Sequence, residues 1–462
     1  MTSEPTAFTS LWPDPDALGT VTDLYELTMI AGYLAEGMGS RSATFEVFVR
    51  RLPPNRSFLV FAGLEQAVGD LLRLAFSNEQ VEALRRWPAF KGLPATFFEE
   101  LRRFRFQGDL LAVPEGTVVF PGETLVRVTA PLPQAQWVEP FLLASLGYPT
   151  LVASKAARMV LSARGKPLFE FGSRRAHGPQ AGMLAARSAY LAGFEGTSHV
   201  EAARRLNVPC VGTMAHSWVQ SFPGEAEAFA AYARVFPDST TLLVDTYDTL
   251  EGVRRAAAVA PPSSSIRIDS GDLADLAPKA RAILDERGRG DVRIFGSGDL
   301  DESALENLTA AGAPIDGYGV GTELVTVRDG PAISMVYKLV ELDGSGRIKL
   351  APGKKTYPMA KQVYRRRDES GVFVGDLVAK ASEPAPEGMT PLLVPILSGG
   401  EYVARRATLA EARDRCRAQL AALPPELKAL RTDAVYPVTY SDRLEADAAR
   451  LMRGSAKVEG DR

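Results

Sequence analysis

The chain has 462 residues, of which 46% are hydrophobic and 24% charged, and its formal net charge is -3 at neutral pH. At about 150 residues per domain, this length predicts two or three folding units with a sizeable core. A nearly neutral chain has no electrostatic reason to bind nucleic acid or an anionic membrane. Any basic substrate site must therefore be a local cluster.

Cysteine usage and the apolar segments indicate the compartment. Two cysteines, Cys210 and Cys416, cannot form a disulfide framework and match no zinc-binding spacing. Residues 1–15 are polar and acidic, unlike a signal peptide. The most apolar stretch, residues 141–152, is too short to span a bilayer. We therefore expect a cytoplasmic protein.

The first third of the chain has a mixed pattern. Residues 23–33 and 78–86 are predicted to be helices. Between residues 110 and 128, the β-rich runs LLAV, TVVF and TLVRV are separated by the turn sequences PEG and PGE. This arrangement predicts a small β-barrel or meander.

From residue 168 onward, short apolar runs recur, each ending in a cluster of Gly, Ser, Thr, Asp or Arg. The runs begin near residues 167, 208, 241, 265, 292 and 316, with Ala-rich helical segments between them, such as 182–193 and 225–235. Alternation of strands and helices predicts a parallel sheet. Polar residues at the carboxyl end of each run favour a closed barrel, and an open doubly wound sheet is the alternative.

The last part of the chain departs from this alternation. The strand YKLVEL follows residue 335 and leads into a Gly- and Lys-rich loop at 343–355. Further on, Thr408 and Glu411 have the spacing of a capping box, and an apolar stripe that includes Cys416 follows them. We expect a helix that ends at Pro424, with Cys416 as a core residue.

Charged side chains collect where the predicted parallel strands end. They are Arg174, Arg175, His177, His216, Asp245, Asp248, Arg267, Asp269 and Asp272. Taken singly, such acids are often helix N-caps and such arginines surface charge. On one rim of a parallel sheet, however, arginines can bind anions and carboxylates can bind Mg²⁺. A phosphate-rich substrate would suit this rim.

Two glycine-rich turns also lie at strand ends. GVGTELV at 319–325 lets backbone N–H groups approach a phosphate at the start of a helix, although a simple tight turn is the alternative. GSGDLDE at 296–302 repeats the pattern one strand earlier and makes Gly298 a candidate substrate contact. No Walker A motif occurs. The run TLLVDTYDT lacks the two adjacent acids of the smaller, open-sheet phosphoribosyltransferases.

His216 lies in GTMAHSW, just past a predicted strand. A structural histidine is one interpretation. The other is a nucleophile for phosphoryl transfer, because a neutral imidazole whose second nitrogen is held by a hydrogen bond is competent for this chemistry. Gly212, Thr213 and Ser217 would then supply donors to the phosphate.

Several of these segments together resemble the nicotinate phosphoribosyltransferase family. The matching motifs, in the family's order, are TDLYELTM, FEFGSRRAHGPQAG, GTSHV, GTMAHSW, LLVDTYDT, IRIDSGDL, DGYGVGTELV and YKLVEL, from about residue 20 to 342. The resemblance implies an α/β fold in which an irregular parallel barrel at 153–340 follows an N-terminal α/β domain at 1–152. A C-terminal segment, 341–462, packs back on the N-terminal domain.

The resemblance also implies an activity. Nicotinate, phosphoribosyl pyrophosphate (PRPP), ATP and water would give nicotinate mononucleotide, diphosphate, ADP and phosphate, the first step of NAD salvage from nicotinate. Mg²⁺ would be required, and the enzyme would be a homodimer with shared active sites. His216 is implied to be phosphorylated by ATP. Tyr25 of the partner subunit and Phe171 are implied to stack on the two faces of the pyridine ring.

The same resemblance implies further site residues. Arg174 and Arg267 would surround the nicotinate, ribose and pyrophosphate groups, and Asp245 and Asp269 would lie near the ribose hydroxyls and Mg²⁺. Small residues complete the set: Gly319, Gly321 and Thr322 for the 5′-phosphate, Thr213 and Ser217 at the base and histidyl phosphate, and Thr356 for PRPP. His199 stands where relatives often have Asn, and we interpret it as a tolerated substitution.

Four other functions are alternatives for this sequence. A nicotinamide-using relative carries Asp where this chain has Ser198, and a neutral residue favours the acid substrate. Quinolinate phosphoribosyltransferase is shorter and lacks GTMAHSW. A non-catalytic descendant would be expected to lose residues such as Arg174 and His216, which are intact. An aldolase-type barrel would need a Schiff-base lysine, and no predicted barrel strand ends in Lys.

Overall fold

The computed structural model describes residues 11–350, 356–403 and 405–460. Residues 1–10 of the polar N-terminus, and 351–355 of the predicted Gly- and Lys-rich loop, lie outside the described residues. The helices are α1 (Leu24–Ala35), α2 (Leu64–Leu71), α3 (Asn78–Arg86), α4 (Ala95–Arg103), α5 (Leu132–Ser162), α6 (Pro179–Ala192), α7 (Val200–Leu206), α8 (His216–Gln220), α9 (Glu225–Val235), α10 (Thr249–Val259), α11 (Leu273–Glu286), α12 (Glu302–Ala310), α13 (Thr322–Thr326), α14 (Leu409–Ala421), α15 (Pro425–Lys428) and α16 (Asp442–Gly460).

The strands are mostly short. They are β1 (Ser42–Val49), β2 (Leu59–Val60), β3 (Asp109–Ala112), β4 (Val118–Val119), β5 (Thr124–Pro131), β6 (Leu168–Glu170), β7 (Gly196–Thr197), β8 (Thr241–Leu243), β9 (Ser265–Ile268), β10 (Arg293–Ser297), β11 (Gly317–Val320), β12 (Met335–Leu342), β13 (Ser345–Gly346), β14 (Lys361–Arg367), β15 (Phe373–Lys380), β16 (Met389–Pro391), β17 (Val394–Ser398), β18 (Glu401–Tyr402) and β19 (Val438–Tyr440).

Six strands form one parallel sheet in the order β7-β6-β11-β10-β9-β8. Helices α10, α11 and α12 connect β8 through β11, as parallel neighbours require a crossover. On one face of the sheet Ile266, Ile268 and Ile294 are fully buried, whereas Arg267 lies on the other face. The sheet curls into a half-barrel, which confirms the predicted α/β class and parallel barrel-like sheet.

The predicted strand near residue 208 is wrong. In its place a single bridge joins Thr197 to Cys210, with hydrogen bonds from Thr197 N to Pro209 O (3.1 Å) and from Val211 N to Thr197 O (2.9 Å). Pro209 has no N–H group to continue a ladder. The sixth strand is instead β7, which lies in the GTSHV motif and is too short to show a periodic pattern.

A seven-stranded antiparallel sheet packs beside the half-barrel, in the order β13-β12-β1-β5-β3-β17-β18. It corrects the predicted small barrel or meander, because β3 and β5 pair directly while β4 leaves them to pair with β2. The YKLVEL strand does leave the parallel pattern, since it forms β12 beside β1. A four-stranded sheet, β16-β14-β15-β19, completes the fold.

Helix α5 connects the two hydrophobic cores. Trp137 and Val138 near its start belong to the core beneath the antiparallel sheet, whereas Val152 and Ala156 belong to the core of the half-barrel. The apolar stretch 141–152 therefore lies inside this 31-residue helix. Among the described residues, no helix combines the length and apolar character needed to cross a membrane.

Local signals set several helix boundaries correctly. Helices α3 and α9 have the bounds that the sequence predicts, and the Ser77 side chain and Gln80 form a capping box at the start of α3. The predicted capping box of Thr408 and Glu411 begins α14. Cys416 is 1% exposed and lies in the core, as expected.

Candidate active site

The carboxyl ends of the parallel strands place the candidate residues on one rim. Phe171 directly follows β6, Ser198 follows β7, and Asp269 follows β9. Gly298 and Gly321 directly follow β10 and β11. Because parallel strands point the same way, these residues share one edge of the sheet, where open and closed α/β sheets bind ligands.

Arg267 is the centre of this rim. Its guanidinium donates three hydrogen bonds, to Ser297 Oγ (2.8 Å), Thr213 Oγ1 (3.0 Å) and Asp269 Oδ1 (2.6 Å). It also lies 5.6 Å from the ring centre of Phe171. The side chain is only 12% exposed, so these contacts hold the planar guanidinium in one orientation.

Two carboxylates flank the arginine. Asp245 Oδ2 accepts hydrogen bonds from the backbone N–H of Asp269 (3.1 Å) and from Ser270 Oγ (2.5 Å). Asp245 Oδ1 is buried and has no hydrogen-bond partner in the described part of the chain. Asp269 Oδ1 accepts from Ser297 Oγ (2.6 Å) as well as from Arg267. An oxygen buried without a donor is a fitting cation ligand.

The carboxylates fit the predicted Mg²⁺ only in combination with a substrate. Over residues 11–350, 356–403 and 405–460, no group of three or more His, Cys, Asp or Glu side chains is placed to hold a metal ion. Mg²⁺ commonly binds through one or two carboxylates together with substrate phosphates and water. Asp245 and Asp269 could supply those carboxylates.

His216 is the first residue of α8 and lies beside the same rim. Its Nδ1 shares a hydrogen bond with Thr246 Oγ1 (3.2 Å), and its Nε2 lies 3.9 Å from Asp269 Oδ2. The side chain is 41% exposed, so Nε2 can be reached from solvent. One nitrogen is therefore oriented while the other is available. Ser217, the next residue, is exposed.

Close packing explains two of the predicted glycines, Gly319 and Gly298. A Cβ atom on Gly319 would lie 2.4 Å from the ring of Phe171, and one on Gly321 would lie 3.4 Å from the Phe171 carbonyl oxygen. Gly298 has a φ of +95°, and a Cβ there would lie 2.0 Å from the carbonyl oxygen of Asp269. Gly298 and Gly319 thus allow the chain to approach Asp269 and Phe171 more closely than a residue with a side chain could, whereas a Cβ on Gly321 would make an ordinary contact.

A small cavity opens among these groups. It measures about 320 Å³, including its mouth, and lies inside the half-barrel. Its walls include Phe171, Thr213, Arg267, Ser297 and Gly319. Thr322, at the start of α13, follows the adjacent Gly321 turn. The walls combine an aromatic face, one cation and hydroxyl groups, a lining suited to a small planar anion.

Three contributing residues escaped the sequence analysis. Thr246 orients His216, and Ser297 links Arg267 to Asp269. Glu170 is fully buried and accepts hydrogen bonds from Thr197 Oγ1 and from the N–H of Gly172. Burial raises the pKa of Glu170, and the bond from Thr197 opposes that rise. All three lie inside the sequence motifs described above, but the local sequence does not show that a strand acid such as Glu170 is buried.

Other predicted residues lie apart from this cluster. Arg174 is exposed in a 3₁₀ turn (Ser173–Arg175), and it forms no side-chain hydrogen bond or ion pair within the described chain. Tyr25 is exposed on α1, which packs against α5. Thr356 is buried, and its Oγ1 accepts from Lys349 N (3.0 Å). Within the part of the chain that the structure describes, neither Tyr25 nor Thr356 shares a hydrogen bond with the rim residues.

The remaining histidines have ordinary surroundings. His177 is exposed beyond the 3₁₀ turn. His199 is the N-cap of α7, where its Nδ1 accepts from the N–H of Ala202 at 3.4 Å. Asn is among the best N-cap residues, so His199 performs the same structural task with a longer acceptor.

Comparison with known proteins gives the family that this chain is similar to. The model of the nicotinate phosphoribosyltransferase family matches residues 167–367, and the models of that family's N-terminal and C-terminal domains match 20–147 and 385–447. A nicotinate phosphoribosyltransferase of Mycobacterium tuberculosis is 48% identical over 438 residues, covering 93% of each chain. The human nicotinate phosphoribosyltransferase is 32% identical, covering 96% of this chain and 99% of its own.

A solved structure gives the same result. The crystal structure of human nicotinic acid phosphoribosyltransferase superposes with a TM-score of 0.84 at 30% identity, covering 94% of this chain and all of that one. Sequence and structure therefore agree over nearly the whole length. The chain belongs to the nicotinate phosphoribosyltransferase family.

Proposed function

We propose that this chain joins nicotinate to PRPP, releasing diphosphate, and couples the transfer to ATP hydrolysis through phosphorylated His216. The observation that carries the proposal is the cluster of Arg267, Asp269 and Asp245 beside His216 on one rim. It gathers a cation for anionic groups, carboxylates for a metal–phosphate complex and an available imidazole nitrogen at one place. The family's name gives the chemistry that such a set would perform.

The transfer step displaces diphosphate from C1 of the ribose. The pyridine nitrogen of nicotinate forms the new bond to C1 while the bond from C1 to the diphosphate oxygen breaks, and positive charge develops on the sugar. Phe171 would stack on the pyridine ring, and the fixed guanidinium of Arg267 would stabilise the anionic groups around it. Arg174 is free to bind a second anionic group of the substrates.

Mg²⁺ held by Asp245, Asp269 and the substrate would neutralise charge on the leaving diphosphate. Gly319, Gly321 and Thr322 would bind the 5′-phosphate through backbone N–H groups and a hydroxyl. Gly298, in the adjacent turn, would contact the substrate. These contacts would hold C1 close to the nucleophile, which is where much of the rate enhancement of a transferase arises.

The coupling step uses the second nitrogen of His216. Because Nδ1 is engaged by Thr246, Nε2 would attack the γ-phosphorus of ATP, and ADP would leave as the bond to the β–γ bridging oxygen breaks. Water would later hydrolyse the phosphoimidazole to phosphate. Ser217 and Thr213, which are near His216 in the chain, would donate to the histidyl phosphate.

We further propose a cytoplasmic homodimer with shared sites. Val21, Leu24, Tyr25 and Met29 are apolar or aromatic residues on or beside α1, and each is at least 37% exposed. An apolar face of this kind is typical of a surface that another molecule covers. It would allow Tyr25 of one subunit to reach the pyridine ring bound in the other, opposite Phe171.

Substrate choice tests the proposed reaction. Purified protein with PRPP, ATP and Mg²⁺ is offered nicotinate, nicotinamide and quinolinate side by side, and products are identified by mass. We expect nicotinate mononucleotide and diphosphate, with kcat/KM highest for nicotinate, because Ser198 places no negative charge beside the carboxylate. Ser198→Asp should shift the preference toward nicotinamide, and Ser198→Ala is the uncharged control. A higher kcat/KM for nicotinamide with the unaltered protein would refute the assignment of the acid substrate.

A further inference from the structure

A group of five charged side chains lies behind the rim; four are buried, and the fifth, Asp329, is 29% exposed. This ion cluster consists of Arg56, Lys155, Arg158, Glu302 and Asp329. Lys155 is fully buried on α5, and its Nζ donates to Glu302 Oε2 (2.7 Å) and Asp329 Oδ1 (2.8 Å). Arg56 Nη1 lies 2.6 Å from Asp329 Oδ2. Arg158 Nε lies 3.5 Å from Glu302 Oε1.

The two acids of the ion cluster follow the two glycine-rich turns in the chain. Glu302 is the first residue of α12, which directly follows the turn that contains Gly298. Asp329 lies just beyond α13, the short helix that follows the Gly321 turn. The single ammonium of Lys155 therefore joins the supports of both turns, although the turns come from different strands.

A second contact from the same helix reaches the Gly321 turn. Tyr148 Oη donates to the carbonyl oxygen of Val325, in the last part of α13, at 2.7 Å. Tyr148 and Lys155 are two helical turns apart on α5 and so lie on the same face. This face of α5 contacts both supports by hydrogen bonds whose length and direction are fixed.

The energetics of the ion cluster make it a rigid connection. Three cations face two carboxylates, and all of them except Asp329 are shielded from water, so removing one partner leaves a poorly compensated buried charge. Burial opposes ionisation of Asp329, but its hydrogen bonds to Arg56 and Lys155 outweigh burial and lower its pKa. The carboxylate thus stays charged and bound. Moving either turn would break at least one of these ion pairs.

We propose that Lys155 and Tyr148 are positioning residues that fix the separation of the Gly298 and Gly321 turns. This separation sets the affinity of the site for the ribose 5-phosphate end of PRPP. The inference rests on the proposed function, which assigns 5′-phosphate binding to the Gly321 turn and a substrate contact to the adjacent Gly298 turn. Neither side chain touches the substrate in this account. Their substitution should weaken binding of the ribose 5-phosphate end much more than binding of the pyrophosphate end, which is held around Arg267.

Calorimetry with two separate ligands tests the ribose 5-phosphate end and the pyrophosphate end of PRPP independently. Ribose 5-phosphate and pyrophosphate with Mg²⁺ are titrated into the full chain and into the Lys155→Met, Tyr148→Phe and Lys380→Met variants. Lys380 pairs with Asp447 at 2.7 Å in the C-terminal sheet region and is the matched control. Because small displacements of binding groups are costly, we expect about tenfold weaker ribose 5-phosphate binding for Lys155→Met and about threefold for Tyr148→Phe. Pyrophosphate binding should change by less than about twofold.

Steady-state kinetics and melting temperatures complete the test. KM for PRPP should rise more than kcat falls, and KM for nicotinate should stay the same. If Lys155→Met does not fold, Tyr148→Phe alone decides, because it keeps the ring and removes one hydroxyl. Unchanged affinities in a folded variant, or equal losses for both ligands, would overturn the inference. Failure of the unaltered protein to form nicotinate mononucleotide would instead refute the proposed function, and ribose 5-phosphate binding would still be measured.

Discussion

The sequence assigns Arg174 and Arg267 the same anion-binding role, yet their surroundings differ. Arg267 is fixed by three hydrogen bonds inside the rim, whereas Arg174 is exposed beside it. Rim residues such as these can be predicted because polar groups at the ends of parallel strands meet at one edge. Their partners cannot, because the pairing of Arg267 with Thr213 joins residues 54 positions apart in the chain.

We predict that Arg174→Ala and Arg267→Ala each lose at least about 2 kcal/mol of transition-state stabilisation, as expected for a charge-assisted contact. Arg267→Ala should also lower the melting temperature, because Asp269 loses its cation. Arg174→Ala should not. Steady-state kinetics and thermal unfolding measure the two effects. Arg175→Ala, the exposed neighbour, is the control, and kcat/KM close to that of the unaltered protein in either main variant would show that the residue is only surface charge.

Helices and strands could be predicted where capping residues or an apolar pattern in the local sequence mark them. The capping boxes and apolar stripes set α3 and α14, and apolar runs set β9 and β10. The two-residue strand β7 carries no such signal. Its neighbour, the predicted strand near 208, fails because pairing next to β7 stops at one bridge. Very short elements depend on tertiary contacts that the local sequence does not encode.

The Gly298 turn gives a prediction at this scale. Gly298→Ala should displace Asp269, because the new Cβ would lie 2.0 Å from its carbonyl oxygen in addition to the strain of a positive φ. Strain of this kind costs about 1–3 kcal/mol, and the displacement should lower kcat/KM as well as stability. Gly312→Ala is the control, since its φ is +65° but nothing lies within 4 Å. It should lose stability alone. Equal kinetic effects in the two variants would contradict a role for the Gly298 turn in placing Asp269.

At the scale of the whole molecule, the antiparallel sheet lay beyond sequence reasoning. Strand β12 pairs with β1 and β17 pairs with β3, so strands separated by most of the chain are neighbours. Alternation within each strand cannot reveal which distant partner it takes. The part of the chain that holds the candidate site was easier to predict, because the strand–helix alternation is confined to the half-barrel.

Mixed dimers test whether the sites are shared. Tyr25→Ala and Arg267→Ala homodimers should each be nearly inactive. After the two variants are mixed and allowed to exchange subunits, one site of each hybrid would combine an intact Tyr25 with an intact Arg267. We therefore expect activity to rise well above that of either parent. Mixing two separate preparations of Tyr25→Ala is the control. No gain after demonstrated exchange would mean that Tyr25 acts within its own subunit or not at all.

We propose that the rim around Arg267 transfers the phosphoribosyl group while His216 carries phosphate from ATP. The most direct measurement incubates the protein with γ-labelled ATP and follows the label. We predict acid-labile, base-stable label that is lost from the protein faster when nicotinate and PRPP are added, as nicotinate mononucleotide forms. His216→Asn should take up no label. Its melting temperature should stay nearly unchanged, because one part-exposed hydrogen bond to Thr246 contributes only about 1 kcal/mol. Label retained by folded His216→Asn, or label that persists while product accumulates, would contradict the account.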